Sequence, residues 1–318
     1  MQAASRPRTW IWSVVLLSTL CCGRTQSTPL QVFDGARAFQ DLLELVEIGP
    51  RPAGSEGGAR ARDLIAQRLR QAGWRVERHE FKAALPDGGE LDMTKVIGIR
   101  EGARRDQRIL LVTHYDTKRL EGERFLGAND GASGAALLLG LARQLAARPL
   151  AFTVWLVFFD GEEAFGPRIS DWDGLYGSRA LVDRMVEEGT FDEIGALVLV
   201  DMVADRDLNL VVDRSSSPAL RAILRQEAEA LGLEELIDPQ VAVRVVDDHT
   251  PFLVSGVEEV LAVIDFQFGA RRTPGPYWHT VRDNTSAVAA ESLNSVGRLV
   301  VHTFVRIERR LLQRASAP

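Results

Sequence analysis

Apolar and polar positions along this chain follow two different periods. Unbroken apolar runs stand at 109–113, 152–159, 194–200 and 260–264. They are rich in β-branched and aromatic residues and too short for most helices, so they predict buried strands. Between and around them, apolar residues recur at helical spacing. In 35–48 these are Phe39, Leu42, Leu43 and Val46, which are expected to face the core. Further helices are expected over 56–73, 135–145, 180–188, 218–231 and 290–312. The turn formers of 49–55 separate the first two, and 74–81 and 95–100 read as edge or antiparallel strands. Strands interleaved with helices predict a single-domain α/β fold, a mixed and mostly parallel central sheet with helices on both faces.

The ends of the predicted strands carry the candidate chemistry. The first run delivers His114 and Asp116, the second Asp160, Glu162 and Glu163, and the third Asp201. Beyond the fourth run a loop carries Trp278, His279 and Asp283, and Asp130 sits in the Gly-rich segment that opens the 135–145 helix. In open α/β sheets ligands bind beyond the carboxyl ends of strands, where these residues fall. Glu162 and Glu163 are adjacent, so each raises the other's pKa unless a cation neutralises one of them. One could then bind a metal while the other handles protons. The donors are oxygen and imidazole nitrogen, a set that suits zinc. A polar turn or a satisfied histidine explains any one of these positions, but not their repetition at successive strand ends.

In the order His114, Asp116, Asp130, Glu162, Glu163, Asp201, His279, these residues resemble the zinc-dependent aminopeptidase superfamily. Segments 158–165, 173–179, 247–252 and 277–280 resemble its glutaminyl-peptide cyclotransferase branch, and the likeness runs over roughly 39–307. The resemblance implies one zinc held by Asp130, Glu163 and His279. It implies Glu162 as general acid/base, Asp201 orienting the reacting amine, Asp247 completing the hydrogen-bond network, and Trp278 walling the pocket for an N-terminal glutamine side chain. Peptides or proteins with N-terminal glutamine are then the partners, and closure of glutamine to pyroglutamate with loss of ammonia is the reaction. A rival in the same superfamily is a two-zinc aminopeptidase: His114 and Asp201 hold a second zinc, Asp130 bridges, and Glu162 activates water. The insert 164–173 and Trp278 favour the cyclase; against it, segment 129–134 is more like the peptidases and the loop 266–277 is longer than a cyclase implies. A metal-free binding module is the third reading, since fold does not fix function, though no expected ligand is missing.

Composition narrows the class further. At 318 residues and 46% hydrophobic content, the chain can bury one substantial core. Its formal net charge is -6, and about -8 without the first 22 residues, which argues against a nucleic-acid surface. The charged run 100–108 reads as a solvated loop, and a monomer is expected. At the N-terminus, Arg6 and Arg8 precede an apolar stretch ending in Cys21 and Cys22, of signal-peptide length and short for a membrane span. The expected organisation is an export signal at 1–22, a linker at 23–34 and a catalytic domain at 35–318. Those two cysteines are the only ones, so the rest of the chain has neither disulfide nor thiolate ligand. They resemble a lipoprotein cleavage site with Leu20 where a small residue is usual, so a periplasmic, lipid-anchored or secreted protein is expected.

Overall fold

The computed structural model of the chain describes residues 32–315, and the signal expected at 1–22 lies outside them. In chain order the elements are α1 (Gly35–Ile48), α2 (Glu56–Gln71), β1 (Arg75–Ala84), β2 (Glu90–Arg100), β3 (Arg104–His114), α3 (Ala132–Ala146), β4 (Phe152–Phe159), α4 (Tyr176–Glu187), β5 (Ile194–Asp201), β6 (Leu210–Asp213), α5 (Pro218–Leu231), β7 (Ile237–Val243), α6 (His249–Val254), β8 (Val260–Ile264) and α7 (Ala290–Ala315). Every strand expected from an apolar run is present.

The main sheet has the order β1-β2-β4-β3-β5-β8. Strands β4, β3, β5 and β8 pair in parallel, while β1 and β2 form an antiparallel pair whose inner strand also runs antiparallel to β4. This is the expected mixed, mostly parallel sheet. Its central strands read as continuous apolar runs because both faces are covered. On one face Leu110, Val112, Val157, Phe159, Leu197 and Leu199 pack with Leu181, Val182 and Met185 of α4 and Phe252 of α6. On the other, α3 lies against β3, β4 and β5, with α1 and α7 packed outside it. Helix α3 is therefore buried almost all round, which is why its sequence is apolar and not amphipathic.

Two expectations are corrected. In α1 the buried stripe is Ala38, Leu42, Leu45 and Val46, with Phe39 and Leu43 only half-buried. The stripe turns because buried Asp41 also faces inward, where it meets Arg68 at 3.3 Å and Arg143 at 2.7 Å. The run 100–108 is not a solvated loop: β3 begins at Arg104, and Arg108 is buried, stacked 4.4 Å from the Trp155 ring centroid and paired with Glu193. The pairing and the ring allow burial, as the guanidinium keeps a carboxylate and a π-face as partners. Segment 247–249 leads directly into α6. Strands β6 and β7 form a small parallel sheet that the patterns do not announce, β6 being short and β7 half-exposed and interrupted by Pro239.

Candidate metal centre and its cavity

The carboxyl ends of β3, β4, β5 and β8 lie along one edge of the sheet, so the loops that follow them converge. After β3, the buried Asp116 carboxylate accepts hydrogen bonds from the backbone N–H groups of Glu162 (3.2 Å) and Glu163 (3.3 Å), fixing the loop beyond β4. Asp283, from the loop beyond β8, accepts from the backbone N–H groups of Asn129 (2.7 Å) and Asp130 (3.0 Å). Gly131 follows at φ 92°, where a Cβ would stand 2.5 Å from the Asp116 carbonyl oxygen. Only glycine fits that position. His279 also has a left-handed backbone, at φ 53°, an uncommon conformation for a residue with a side chain. Its ring stacks on Trp278, with centroids 3.9 Å apart.

These loops bring two groups of donors together around one shared carboxylate. Asp130, Glu163 and His279 form the first: His279 Nε2 lies 3.1 Å from Glu163 Oε2 and 3.5 Å from Asp130 Oδ2. His114, Asp130 and Asp201 form the second: His114 Nε2 lies 3.2 Å from Asp130 Oδ1 and 3.3 Å from Asp201 Oδ1. Thus the two oxygens of Asp130 face opposite groups. Asp130 Oδ2 and Glu163 Oε1 are buried without a hydrogen-bond partner among the described residues. Buried carboxylates left unpaired need a cation, and a nitrogen and oxygen donor set of this kind fits zinc.

A cavity of about 260 Å³ opens on this centre. Asp130, Glu162, Glu163, Asp201, Asp247, Trp278 and His279 all line it. His114 does not; it is fully buried behind Asp130 and Asp201. Burial holds the Glu162 carboxyl well above the usual carboxylate range, with Asp247 and Glu163 adding to the effect and His114 opposing it. Asp247 is likewise raised by burial and then by Asp201 and Asp248. Burial alone would raise Asp130 too, but the His114 hydrogen bond and the His279 charge draw it below its ordinary value. The cavity therefore holds carboxyls that favour the proton, Glu162 and Asp247 among them, beside one, Asp130, that favours the ion, the separation that acid/base work requires.

Several shaping residues carried little signal in the sequence. Arg51 is fully buried and donates to the carbonyls of Leu45, Gly49, Tyr115, Leu126 and Gly127. It binds the loop before Asp130 to the loop after β3. Lys118 donates to the carbonyls of Ala164 and Gly166 and lies 3.8 Å from Glu163 Oε2, holding the start of the insert against the centre. Asp173 closes the insert, accepting from the N–H groups of Phe165 and Gly166 and from the Tyr176 hydroxyl. His249 does not reach the cavity wall; it is buried beside Ser215, 3.1 Å away, and Asp213. Trp172 is 72% exposed and lines no part of the cavity.

Comparison with known proteins gives consistent matches. The profile of peptidase family M28 matches residues 95–304. A glutaminyl-peptide cyclotransferase of Drosophila melanogaster is 31% identical over 282 residues, covering 80% of this chain and 76% of that protein. Among solved structures, an Acidobacteriales bacterium glutaminyl cyclase superposes with a TM-score of 0.83 at 36% identity, over 90% of this chain and 98% of that one. The glutaminyl cyclase of Porphyromonas gingivalis gives a TM-score of 0.78 at 27% identity, over 86% and 98%.

Proposed function

This chain belongs to peptidase family M28 and, within it, to the glutaminyl-peptide cyclotransferases, and we propose that it converts the N-terminal glutamine of peptides and proteins to pyroglutamate with release of ammonia. One observation carries the reading: a single cavity of about 260 Å³ is lined at once by the Asp130, Glu163 and His279 donors and by Glu162, Asp201 and Asp247. That volume lies at the low end for ligand sites and suits one terminal residue, not a long stretch of chain. The two-zinc aminopeptidase is the weaker reading.

A single zinc on Asp130, Glu163 and His279 is the arrangement this geometry favours, since all three face the cavity whereas His114 stands behind it. When bound there, the ion supplies Lewis-acid polarisation of the side-chain carbonyl. Trp278 walls the side chain, Asp201 orients the α-amine, and Asp247 completes the hydrogen-bond network of the pocket. Holding amine and carbonyl in a ring-closing geometry supplies much of the rate, because the reaction is intramolecular. The amine nitrogen bonds to the side-chain amide carbon as the bond to the amide nitrogen breaks. Glu162 takes the proton from the amine and passes it to the departing nitrogen, which leaves as ammonia; burial raises its pKa, the direction such a proton shuttle needs.

The test is to incubate a glutaminyl peptide with zinc-loaded protein and follow ammonia, with free glutamine as the sign of peptidase activity instead. Glu162→Gln should lower kcat by on the order of 10²–10⁴-fold with zinc retained. His279→Ala should lose zinc, measured by metal analysis, and one zinc per chain is expected in the unaltered protein. A mutant of Glu162 with near-normal turnover would remove its assigned role. The basic and apolar N-terminal run supports export, and mass spectrometry of the exported protein would distinguish a lipid on Cys21 or Cys22 from simple secretion.

A further inference from the structure

The mouth of the cavity differs in charge from its floor. The floor is crowded with carboxyls, whereas the rim is built from Pro167, Arg168 and Ile169 of the insert and Arg244 and Val246 beyond β7. Arg168 and Arg244 are exposed, and neither has an ion pair or a hydrogen bond among the described residues. Among the described residues, arginines such as Arg75, Arg78, Arg104, Arg184 and Arg310 pair with neighbouring carboxylates and others, such as Arg60 and Arg298, do not; what sets Arg168 and Arg244 apart is that they line a cavity walled by carboxyls. Two unpaired guanidiniums at the entrance of a carboxylate-lined cavity form a positive ring above a negative floor.

We propose that Arg168 and Arg244 are specificity-determining residues that select peptides with a carboxylate close behind the N-terminal glutamine. The inference rests on the cyclotransferase reading. With the glutamine in the cavity, the rest of the peptide leaves through the rim and its second and third residues pass these two side chains. The path beyond is apolar and then mixed. Ile169 and Val246 line both the cavity and an adjoining groove of about 490 Å³, which also holds Arg179, Asp171 and Asp183. The groove carries two carboxylates to one guanidinium and gives an acidic residue no advantage, so selection for a carboxylate is confined to the residues nearest the rim. Guanidinium forks bind carboxylates in paired hydrogen bonds, and the α-amine at the other end of the same short segment meets the acidic floor. The carboxylate is that of an Asp or Glu side chain, or the free terminus of a very short peptide.

The experiment compares kcat/KM for Gln-Glu-amide, Gln-Ala-Glu-amide, Gln-Ala with a free terminus, neutral Gln-Ala-amide and Gln-Lys-amide. Exposed pairs of this kind contribute modestly, so an acidic over neutral preference of about five- to tenfold is expected, carried by KM and shrinking as salt is raised. The lysine peptide should be the poorest. Arg168→Gln and Arg244→Gln should each lower the acidic to neutral ratio about two- to threefold, and together bring it to about one. The peptide that carries the preference identifies the source of the carboxylate. Calorimetric binding of pyroglutamyl-Glu-amide and pyroglutamyl-Ala-amide to zinc-loaded protein and to the double variant reads the same ratio without turnover. Absence of any cyclisation would thus defeat the activity reading, while this binding ratio would still decide the role of the arginines. A ratio of one in the unaltered protein, a ratio that survives in the double variant, or an equal loss for every peptide would overturn the proposal. Equal loss would mean that the arginines act on the floor and not on the substrate.

Discussion

Arg51 shows how a single side chain can determine the shape of a site it does not line. It is fully buried, and its guanidinium is spent on five backbone carbonyls. Burial lowers its pKa to about 10, with Asp283, Asp116 and Asp130 opposing that shift, so it stays charged at neutral pH. Arg51→Met would leave those carbonyls unpaired and remove the countercharge to three buried acids. Denaturant titration should show a loss of about 3–5 kcal/mol. Lys95 is a contrasting case. It is buried under the Phe81 ring, 4.1 Å from the centroid, and burial, reinforced by Arg184, lowers its pKa to about 7. Between pH ~7 and ~10.5 the unfolded chain therefore binds more protons than the folded one, and stability from this residue rises with pH across that window. Lys95→Met should flatten that slope and raise the melting temperature near pH 7 by on the order of 2–5 °C, measured by thermal denaturation across the pH series.

At the scale of elements, close approach between helix and sheet sets the position of the donors. Gly134, in the first turn of α3, lies where a Cβ would stand 2.1 Å from Thr113 Oγ1 and 2.6 Å from the Val200 carbonyl oxygen. Gly134→Ala must push α3 away from the ends of β3 and β5, carrying the Asp130 loop with it. A loss of about 1–3 kcal/mol is expected, together with weaker zinc binding by competition with a chelating dye, an effect that distant overpacking would not produce. The same packing explains what could be read in advance. Strands β4 and β8 and helices α1 and α5 begin and end at the residues their patterns predict, because each has an uninterrupted period and clear end signals. Helix α4 starts earlier than expected, at Tyr176, since Leu175 takes a left-handed backbone and Gly177 lies against the Asp160 carbonyl. Strands β6 and β7 escape because their stability comes from contact with neighbours and not from their own alternation.

For the molecule as a whole, the centre places several like charges in one buried space. Asp130, Glu162, Glu163, Asp201 and Asp247 share it with two histidines, His114 and His279. Burial raises Glu162, Glu163, Asp201 and Asp247 above their ordinary range, so without a cation these groups oppose folding as pH rises and they lose their protons. Metal binding acts on folding through the same groups. Chelation should therefore lower the melting temperature, by several degrees at about 100 Kd of zinc, with a larger gap at pH 8 than at pH 6. Differential scanning calorimetry with and without chelator checks it, and equal transitions at both pH values would count against a cation at these donors.

The chemistry of the donors, the class of fold and most of the elements follow from local order alone. Hydrophobic period, turn formers and residue type act over a few positions, and they determine which segments become strands and which residues stand at strand ends. Which of those ends meet was decided only in three dimensions. Asp130, Glu163 and His279 are brought together by the strand order β4-β3-β5-β8 and by Asp283 reaching back to the Asp130 loop. That order also leaves His114 behind the cavity, sets Arg51 beneath it and brings Arg168 and Arg244 to its rim. The physical reason is range: periodicity records what each segment buries, whereas a site is made by contacts between segments whose proximity is fixed by how the sheet and its covering helices pack together.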